Sequence, residues 1–505
     1  MRQVVSEFRR RAEESDSVAV IDDSGSHTAR ELLTHAAGLA DAVTGPGGAG
    51  TVLVQADNSW RTVAASLAVG MSGGVLAVVN RHTTGAEFAA AFEDIRPDAV
   101  VAEPSALEEW AVPALMAGAG RHEVLDGWAA WSSDGPRDVS RWSGGSLIGL
   151  TSGSTGRPKG VVQSEDALRY ACSHTIAING LRHGDAIAAI VPLSSTAAYC
   201  FGVFLALSLG GPLVLWRRWD PAAVLARMAE TRVRWTMCVP TMSLQLGAAA
   251  SGSRALQGVR SITVGGGPMD VAAMTRAEES LGTRILRVFG MSECLGHTSP
   301  SPEEPVEIRL GRDGRPFPGT ELRVVGQDGR EVRRGEVGRA QVRGPSLFLG
   351  YAHEGRLDPP EVTADGFFPT GDLMMTNEDG TVSVMGREKD VIIRGGRNID
   401  VTEVERAVAS HPDVSQACVV PVPDEILGER VAALVTSADR GGIGLDEISR
   451  HLQEVGLSKA KWPEFVFAVD ELPQTTVGKI SRAGARDLAC DLLAGLAGQA
   501  REAEK

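Results

Sequence analysis

Two stretches of the chain follow one plan, and that plan limits the folds open to it. Val52 to Ala56 reads as a β-strand, followed by a helix from Ser59, Gly73-Gly74, a strand in VLAVV, a helix from Gly85 and a strand at Ala99. Ala186 to Val191 opens the same order again: a helix through Phe204, Gly210-Gly211, a strand in PLVLW, a helix from Pro221 and a strand at Val233. Short β-rich runs alternating with helical runs, from about residue 50 to 290, describe mostly parallel sheets covered by helices. The repetition reads as a duplicated α/β half-domain.

A chain of 505 residues is too long for one core, so two or three domains are expected. After Phe289 the texture changes. TELRVVGQDGREVRRGEVGRAQVRG shows short alternating strands around an Asp-Gly turn at Asp328-Gly329, an antiparallel unit. Near Gly386 it changes again, to an α+β segment with a helix from Val401 to Ser410, a strand at Gln416 to Val422 and helices from Leu445 and Ser481. The expected fold class is α/β: a large N-terminal domain, residues 1–386, with an antiparallel subdomain, and a small α+β domain, residues 387–505. The charged stretch Arg387 to Asp390 suits the boundary.

A net charge of −14 argues against nucleic acid or an anionic membrane as the main partner. The basic cluster Arg9-Arg10-Arg11 is followed by Glu13-Glu14 and reads as a solvated helix face. No window reaches transmembrane length, and the N-terminus lacks a signal-peptide core. The apolar stretch Ala197 to Leu209 reads as a buried helix. Six scattered cysteines indicate neither a zinc site nor a disulfide frame, and the expected compartment is the cytoplasm.

Chemistry concentrates first in LTSGSTGRPKG, Leu150 to Gly160. Glycines let backbone approach a ligand, hydroxyls donate, and Lys159 can neutralise an anion. That suits phosphate. It is not a Walker A element, because Lys159 follows Pro158 and precedes Gly160.

Thr151-Ser152-Gly153-Ser154-Thr155-Gly156-Arg157-Pro158-Lys159-Gly160 resembles the phosphate loop of the adenylate-forming superfamily. Further matches follow in order: Gly265-Gly266-Gly267-Pro268, Phe289-Gly290-Met291-Ser292-Glu293, Thr370-Gly371-Asp372, GREKDVIIRGGRNIDVTEVE from Gly386, and LPQTTVGKISR containing Lys479. The resemblance covers essentially the whole chain and implies ATP and Mg²⁺ as cofactors. It implies that Thr151, Lys159, Glu293 and Lys479 are catalytic and that Glu293 holds the metal. Ser292 would meet phosphate, Phe289 would pack on adenine beside Gly290 and Met291, and the Gly266 to Pro268 backbone would run along its edge. Asp372 would accept from the ribose hydroxyls with Arg387 in support. A two-step mechanism is also implied: acyl-adenylate formation, then attack by a thiol after the small, mobile domain rotates about Lys389. Gly395 and Gly396 would line the tunnel for a pantetheine arm.

Two departures bear on substrate. Where the family often carries an aromatic residue and His, this chain has Ser194-Ser195-Thr196 after Pro192-Leu193. No Asp lies between Pro192 and Gly210 to pair an α-ammonium, so an amino acid is disfavoured. The expected acyl pocket comprises Ser194, Ser195, Thr196, Tyr199, Phe201, Val239, Gly265 and His297, sized for a small cyclic or aromatic acid. The resemblance therefore implies a ligase joining a small carboxylic acid to coenzyme A. Loading of a carrier-protein phosphopantetheine is the alternative, as is diversion of the adenylate elsewhere, for example in nitrite activation. A homodimer stays open. A non-enzymatic binding module would need a broken nucleotide site, and Lys159, Glu293, Asp372 and Lys479 are all present.

Overall fold

The repeated plan is realised strand for strand in the computed structural model. Thr51–Gln55 lies between Val75–Val79 and Ala99–Ala102, all parallel. Ile187–Ala189 lies in the same way between Leu213–Leu215 and Trp235–Cys238. The structure describes residues 1–503 apart from 45–47, 152–156, 268, 396, 425, 438–442 and 476–477, without the side chains of 398 and 496–503. The first copy sits in a nine-stranded sheet and the second in a seven-stranded one. Every residue of Thr51–Gln55 and Val75–Val79 is buried, which is why these strands read as unbroken apolar runs.

The two copies meet at equivalent places. Asn58 follows the first strand of the first copy. It donates to Ala189 O (3.0 Å) and Val191 O (3.2 Å) and accepts from Leu193 N (2.9 Å), in the segment after the first strand of the second copy. Each sheet is then extended. Beyond Val75–Val79 come Gly145–Thr151, parallel, then Lys159–Ser164 and Gly350–His353, both antiparallel. Beyond Trp235–Cys238 come Ser261–Val264 and Arg284–Arg287, parallel.

Contacts divide the chain into two compact units, a larger one of Met1–Gly266, Met274–Leu322 and Val342–Phe368, and a smaller one of Gly267–Ala273, Arg323–Gln341 and Pro369–Lys505. In the smaller unit an antiparallel hairpin pairs Asp372 with Arg387 and Thr376 with Val382. The turn at Asp328-Gly329 is closed by Gly326 N donating to Arg330 O at 2.8 Å. A second sheet joins Val391–Arg394, Arg397–Asp400, Val414–Asp424, Gly428–Ser437 and Phe465–Ala468, with helices Val401–Ala409 and Leu445–Glu454 supplying Val404, Val408, Ile448 and Leu452 to its core.

Two local expectations need amendment. The apolar stretch is helical from Thr196–Tyr199 through Leu205–Leu209, but its centre, Cys200–Phe204, is a wide π turn. The arginine cluster is solvated only at Arg9 and Arg10. Arg11 turns inward and donates to Leu207 O and to Ser208 O (3.1 Å), carbonyls left over at the end of that helix. All six cysteines are free thiols, five of them buried. No described helix is long and apolar enough to cross a membrane.

One buried ion pair ties the end of the second sheet. Arg309, 2% exposed, grips both carboxylate oxygens of Glu278, Nη2 to Oε1 at 2.7 Å, and also donates to Ile285 O at 2.9 Å. Arg309→Ala leaves the buried Glu278 carboxylate with only the largely exposed Arg284 (3.4 Å) and the Ile285 main-chain N–H (2.7 Å), an expected loss of about 3 kcal/mol. The midpoint of urea unfolding checks this, and Glu278→Gln combined with Arg309→Met should lose markedly less.

Candidate active site

The phosphate-type loop is stretched between two paired strands. Gly145–Thr151 and Lys159–Ser164 run antiparallel with Thr151 opposite Lys159, and Thr151 Oγ1 lies 3.5 Å from Lys159 O. Ser152, Gly153, Ser154, Thr155 and Gly156 lie outside the described residues. The far end of the loop is fixed by Arg157, whose Nε donates to Asp94 Oδ2 (3.1 Å) and whose Nη2 donates to Glu93 Oε2 (2.8 Å). Asp94 is 6% exposed, so this anchor belongs to the core.

Glu293 sits in the turn between Phe289–Met291 and Cys294–Ser299, a short antiparallel hairpin. The parallel strand before it ends at Arg287 rather than at Phe289. The carboxyl end of a strand in an open sheet is where ligands collect, and here the hairpin carries Phe289, Gly290, Met291, Ser292 and Glu293 out from that end. Three bonds fix the turn: Gln163 Nε2 to Ser292 O (2.7 Å), Phe348 N to Glu293 O (2.7 Å), and Tyr351 Oη to Glu293 Oε1 (2.9 Å). The Lys159 ammonium lies over the Tyr351 ring, 5.1 Å from its centroid. Burial, then the charge of Glu293, raises the Tyr351 hydroxyl above its ordinary range, so it stays a proton donor.

His297 lies on the next strand, fully buried, with neither ring nitrogen partnered among the described residues and its ring edge-on to Phe289 at 4.8 Å. Burial holds its pKa down to about 3, so the ring is neutral. Its neighbour Gly296 admits two rings, since a Cβ there would lie 3.0 Å from both Phe201 and Phe317. Val239 is buried at the start of the helix Pro240–Ala250, and Gly265 and Gly266 follow Ser261–Val264. Ser194 is buried and bound by Asn80 Nδ2 at 2.9 Å, and Ser195 precedes the helix whose first residue is Thr196. Thr196 Oγ1 is buried without a partner among the described residues, and Gly149 makes its room: a Cβ there would lie 2.0 Å from that oxygen. Tyr199 points elsewhere. Its hydroxyl lies 3.9 Å from Met1 Sδ inside the core, so its side chain is packing rather than pocket.

The smaller unit holds its own constellation. Asp372, 2% exposed, accepts from Arg387 Nε at 3.2 Å across the hairpin. Lys479 lies in a turn closed by Thr475 N donating to Lys479 O at 2.7 Å. Its side chain is exposed by area, yet desolvation, then the Arg387 charge, lowers its pKa. Lys389 is exposed in the turn after Arg387, and Gly395 N donates to Leu427 O at 2.8 Å. Gly267 follows Gly266 in a bend, while Pro268 and Gly396 lie outside the described residues.

Sequence reasoning missed Tyr351, Gln163 and Asp94. Gln163 left a signal, a lone amide inside the apolar strand KGVVQS, because a fully buried amide needs partners. Elsewhere His411, Asp413 and Glu447 bring ligand atoms within 4.8 Å of one another. Asp413 N donates to His411 Nδ1 at 3.2 Å, which leaves the ring proton on Nε2, 3.9 Å from Glu447 Oε1. At that distance the ring and the carboxylate face each other without a hydrogen bond.

This fold and these motifs place the chain in the AMP-binding enzyme family, and so in the adenylate-forming superfamily. Residues 8–352 match the AMP-binding enzyme model and residues 403–479 the AMP-binding enzyme C-terminal domain. The chain is 36% identical to Triostin synthetase I of Streptomyces triostinicus, over 68% of this chain and 65% of that protein, so it spans less than two thirds of that relative. It is 31% identical to a salicylyl-CoA synthase / salicylate adenylyltransferase of a Streptomyces species, over 94% and 91% of the two chains. The crystal structure of ATP-bound MatB from Rhodopseudomonas palustris matches with a TM-score of 0.84 at 27% identity, over 97% of this chain and 99% of that one.

The buried imidazole gives a pH test. The unfolded chain protonates His297 below its ordinary 6.5 while the folded chain resists down to about 3. Its contribution is therefore complete above 6.5 and is lost as pH falls through that window. Relative to His297→Gln, the wild-type protein should lose about 2 kcal/mol more between pH 8 and pH 5, read by denaturant unfolding at each pH.

Proposed function

We propose that the protein is an AMP-forming acid–thiol ligase acting on a small cyclic or aromatic carboxylic acid with a polar substituent, with CoA as acceptor. The observation that carries this reading is Lys159 and Glu293 held on one side chain, Tyr351. A cation kept for phosphate beside an anion kept for a metal is the equipment that a nucleotide triphosphate needs.

In the first step a carboxylate oxygen attacks the α-phosphorus of ATP, the α–β anhydride breaks, and pyrophosphate leaves. Lys159 offsets phosphate charge. Glu293 suits Mg²⁺, since one carboxylate with phosphate and water completing the shell is this ion's usual company; bound there, the ion would neutralise triphosphate charge. Asp372 accepts from the ribose hydroxyls, and Arg387 fixes that carboxylate. The Lys479 ammonium meets the developing charge between carboxylate and α-phosphate. His297, neutral and unpartnered in an aromatic surround, supports an acid whose ring carries a hydroxyl or amine. In the second step a thiol attacks the acyl carbon, AMP departs and the thiol proton is released. Lys389 serves as the hinge and Gly395 and Gly396 as the pantetheine passage.

Pyrophosphate release across a panel of carboxylates tests the substrate class. Hydroxy- or amino-substituted benzoate-sized acids should turn over, and palmitate turnover without them would overturn the assignment. Thioester formed with a carrier protein but not with free CoA would move the acceptor to the carrier. Asp372→Ala should raise the KM for ATP about tenfold, as loss of a charge-assisted bond predicts. Lys479→Ala should slow adenylate formation by about a hundredfold or more. The same variant should still make thioester from prepared acyl-adenylate at near wild-type rate, while Lys389→Pro should show the reverse pattern.

A further inference from the structure

Tyr351 stands in none of the motifs that mark the nucleotide site, yet it touches two of that site's charged groups. Its hydroxyl donates to Glu293 Oε1 at 2.9 Å, and its ring face receives the Lys159 ammonium at 5.1 Å from the centroid. Main-chain bonds fix the ring. Gly350–His353 pairs with Lys159–Ser164, Tyr351 opposite Val161 and Ala352 opposite Gly160. Leu349 N donates to Val162 O at 2.9 Å, Phe348 N donates to Glu293 O at 2.7 Å, and the Phe348 ring meets Tyr351 edge-on at 4.8 Å. The segment that carries Tyr351 is thus stitched both to the strand of the lysine and to the turn of the glutamate.

Opposite charges on adjoining elements attract, and a lysine stem is long and flexible. Left to themselves, an exposed lysine and a half-buried glutamate here would close into an ion pair and each would occupy the other's ligand position. Among the described residues Lys159 makes no ion pair, and its recorded partner is the Tyr351 face. The face of an aromatic ring holds an ammonium by its quadrupole without supplying a counter-charge, so it parks the lysine and leaves its charge unspent. The hydroxyl takes one oxygen of Glu293, which leaves Oε2 to meet a cation.

We propose that Tyr351 is a positioning residue that keeps the phosphate-binding lysine and the cation-binding glutamate apart, each free for the nucleotide–metal complex. The inference rests on the roles given above to Lys159 and Glu293. It assigns two separable tasks to one side chain, orientation of a carboxylate by the hydroxyl and custody of an ammonium by the ring.

The test is binding of Mn²⁺ and α,β-methylene-ATP to the full-length protein by calorimetry, with Mn²⁺ binding also followed by its EPR signal, so that no turnover is involved. Tyr351→Phe keeps the ring and should raise the half-saturating Mn²⁺ about tenfold, the usual effect of removing a hydrogen bond behind a metal ligand. Its affinity for the metal-free nucleotide should stay as in wild type. Tyr351→Leu removes both tasks, so metal-free nucleotide should also bind about tenfold more weakly, as expected when a charged contact is diverted to a new partner. Adding Glu293→Gln to Tyr351→Leu should restore nucleotide affinity, because the lysine then has no carboxylate to pair with. A merely structural tyrosine would not show that recovery. Wild-type Mn²⁺ binding in Tyr351→Phe, or a double variant no better than Tyr351→Leu, overturns the proposal. Unchanged Mn²⁺ binding in Glu293→Gln alone overturns instead the metal role on which it rests.

Discussion

One strand, Lys159–Ser164, holds the charged apparatus of the larger unit in place. It pairs on one side with Gly145–Thr151, which sets the width of the glycine-rich loop, and on the other with Gly350–His353, which brings in Tyr351. From the same strand Gln163 reaches across to Ser292 O and fixes the turn that carries Glu293. Parallel strands further in the sheet are buried on both faces and have no freedom to carry chemistry. An antiparallel addition at its side does, because its ends open toward solvent while its main chain stays fully paired. The loop is therefore anchored at Thr151, Arg157 and Lys159.

Charge is handled in two opposite ways on this scaffold. Arg309 and Glu278 neutralise each other completely and are spent on holding the structure. Lys159 and Glu293 are kept from doing the same, at the cost of leaving both partly unsatisfied until a ligand arrives. His297 is a third case, a polar ring in apolar company whose nitrogens meet no partner among the described residues. Buried polar atoms without partners are rare in folded chains because each costs on the order of 1–3 kcal/mol.

The parts of this arrangement legible in the sequence are those written locally. Apolar runs bounded by glycine pairs gave the two copies and their strand order follows from them. Thr151 and Lys159 lie at strand ends and Glu293 in a turn, while Asp372 sits within the strand Phe368–Thr376. What escaped was set by partners far along the chain. Arg157 is anchored by Asp94 and Glu93, more than sixty positions earlier, and nothing around either acid announces that pairing. Arg11 reads as a surface charge beside Arg9 and Arg10, yet it faces the end of a helix nearly two hundred residues on. Tyr199 has the composition of a pocket residue and the position of a core one, because the π turn that follows it changes which side chains face inward. Tyr351 sits in a short strand with no periodic signal, and only the pairing of three segments gives it meaning.

The bond between the two copies at Asn58 has an effect beyond holding sheets together. A duplicated unit starts with two equal mouths, but this joint runs in one direction only: the first copy contributes a side chain and the second contributes main chain, Ala189, Val191 and Leu193. That fixes the path of the second copy's segment up to the residue before Ser194 without involving any of its side chains. Ser194, the first of the three hydroxyl residues that follow, is then bonded back to the first copy by its own side chain, Oγ accepting from Asn80 Nδ2 at 2.9 Å. The two copies are thus unequal partners at their Asn58 joint, one holding by a side chain and the other held by its main chain.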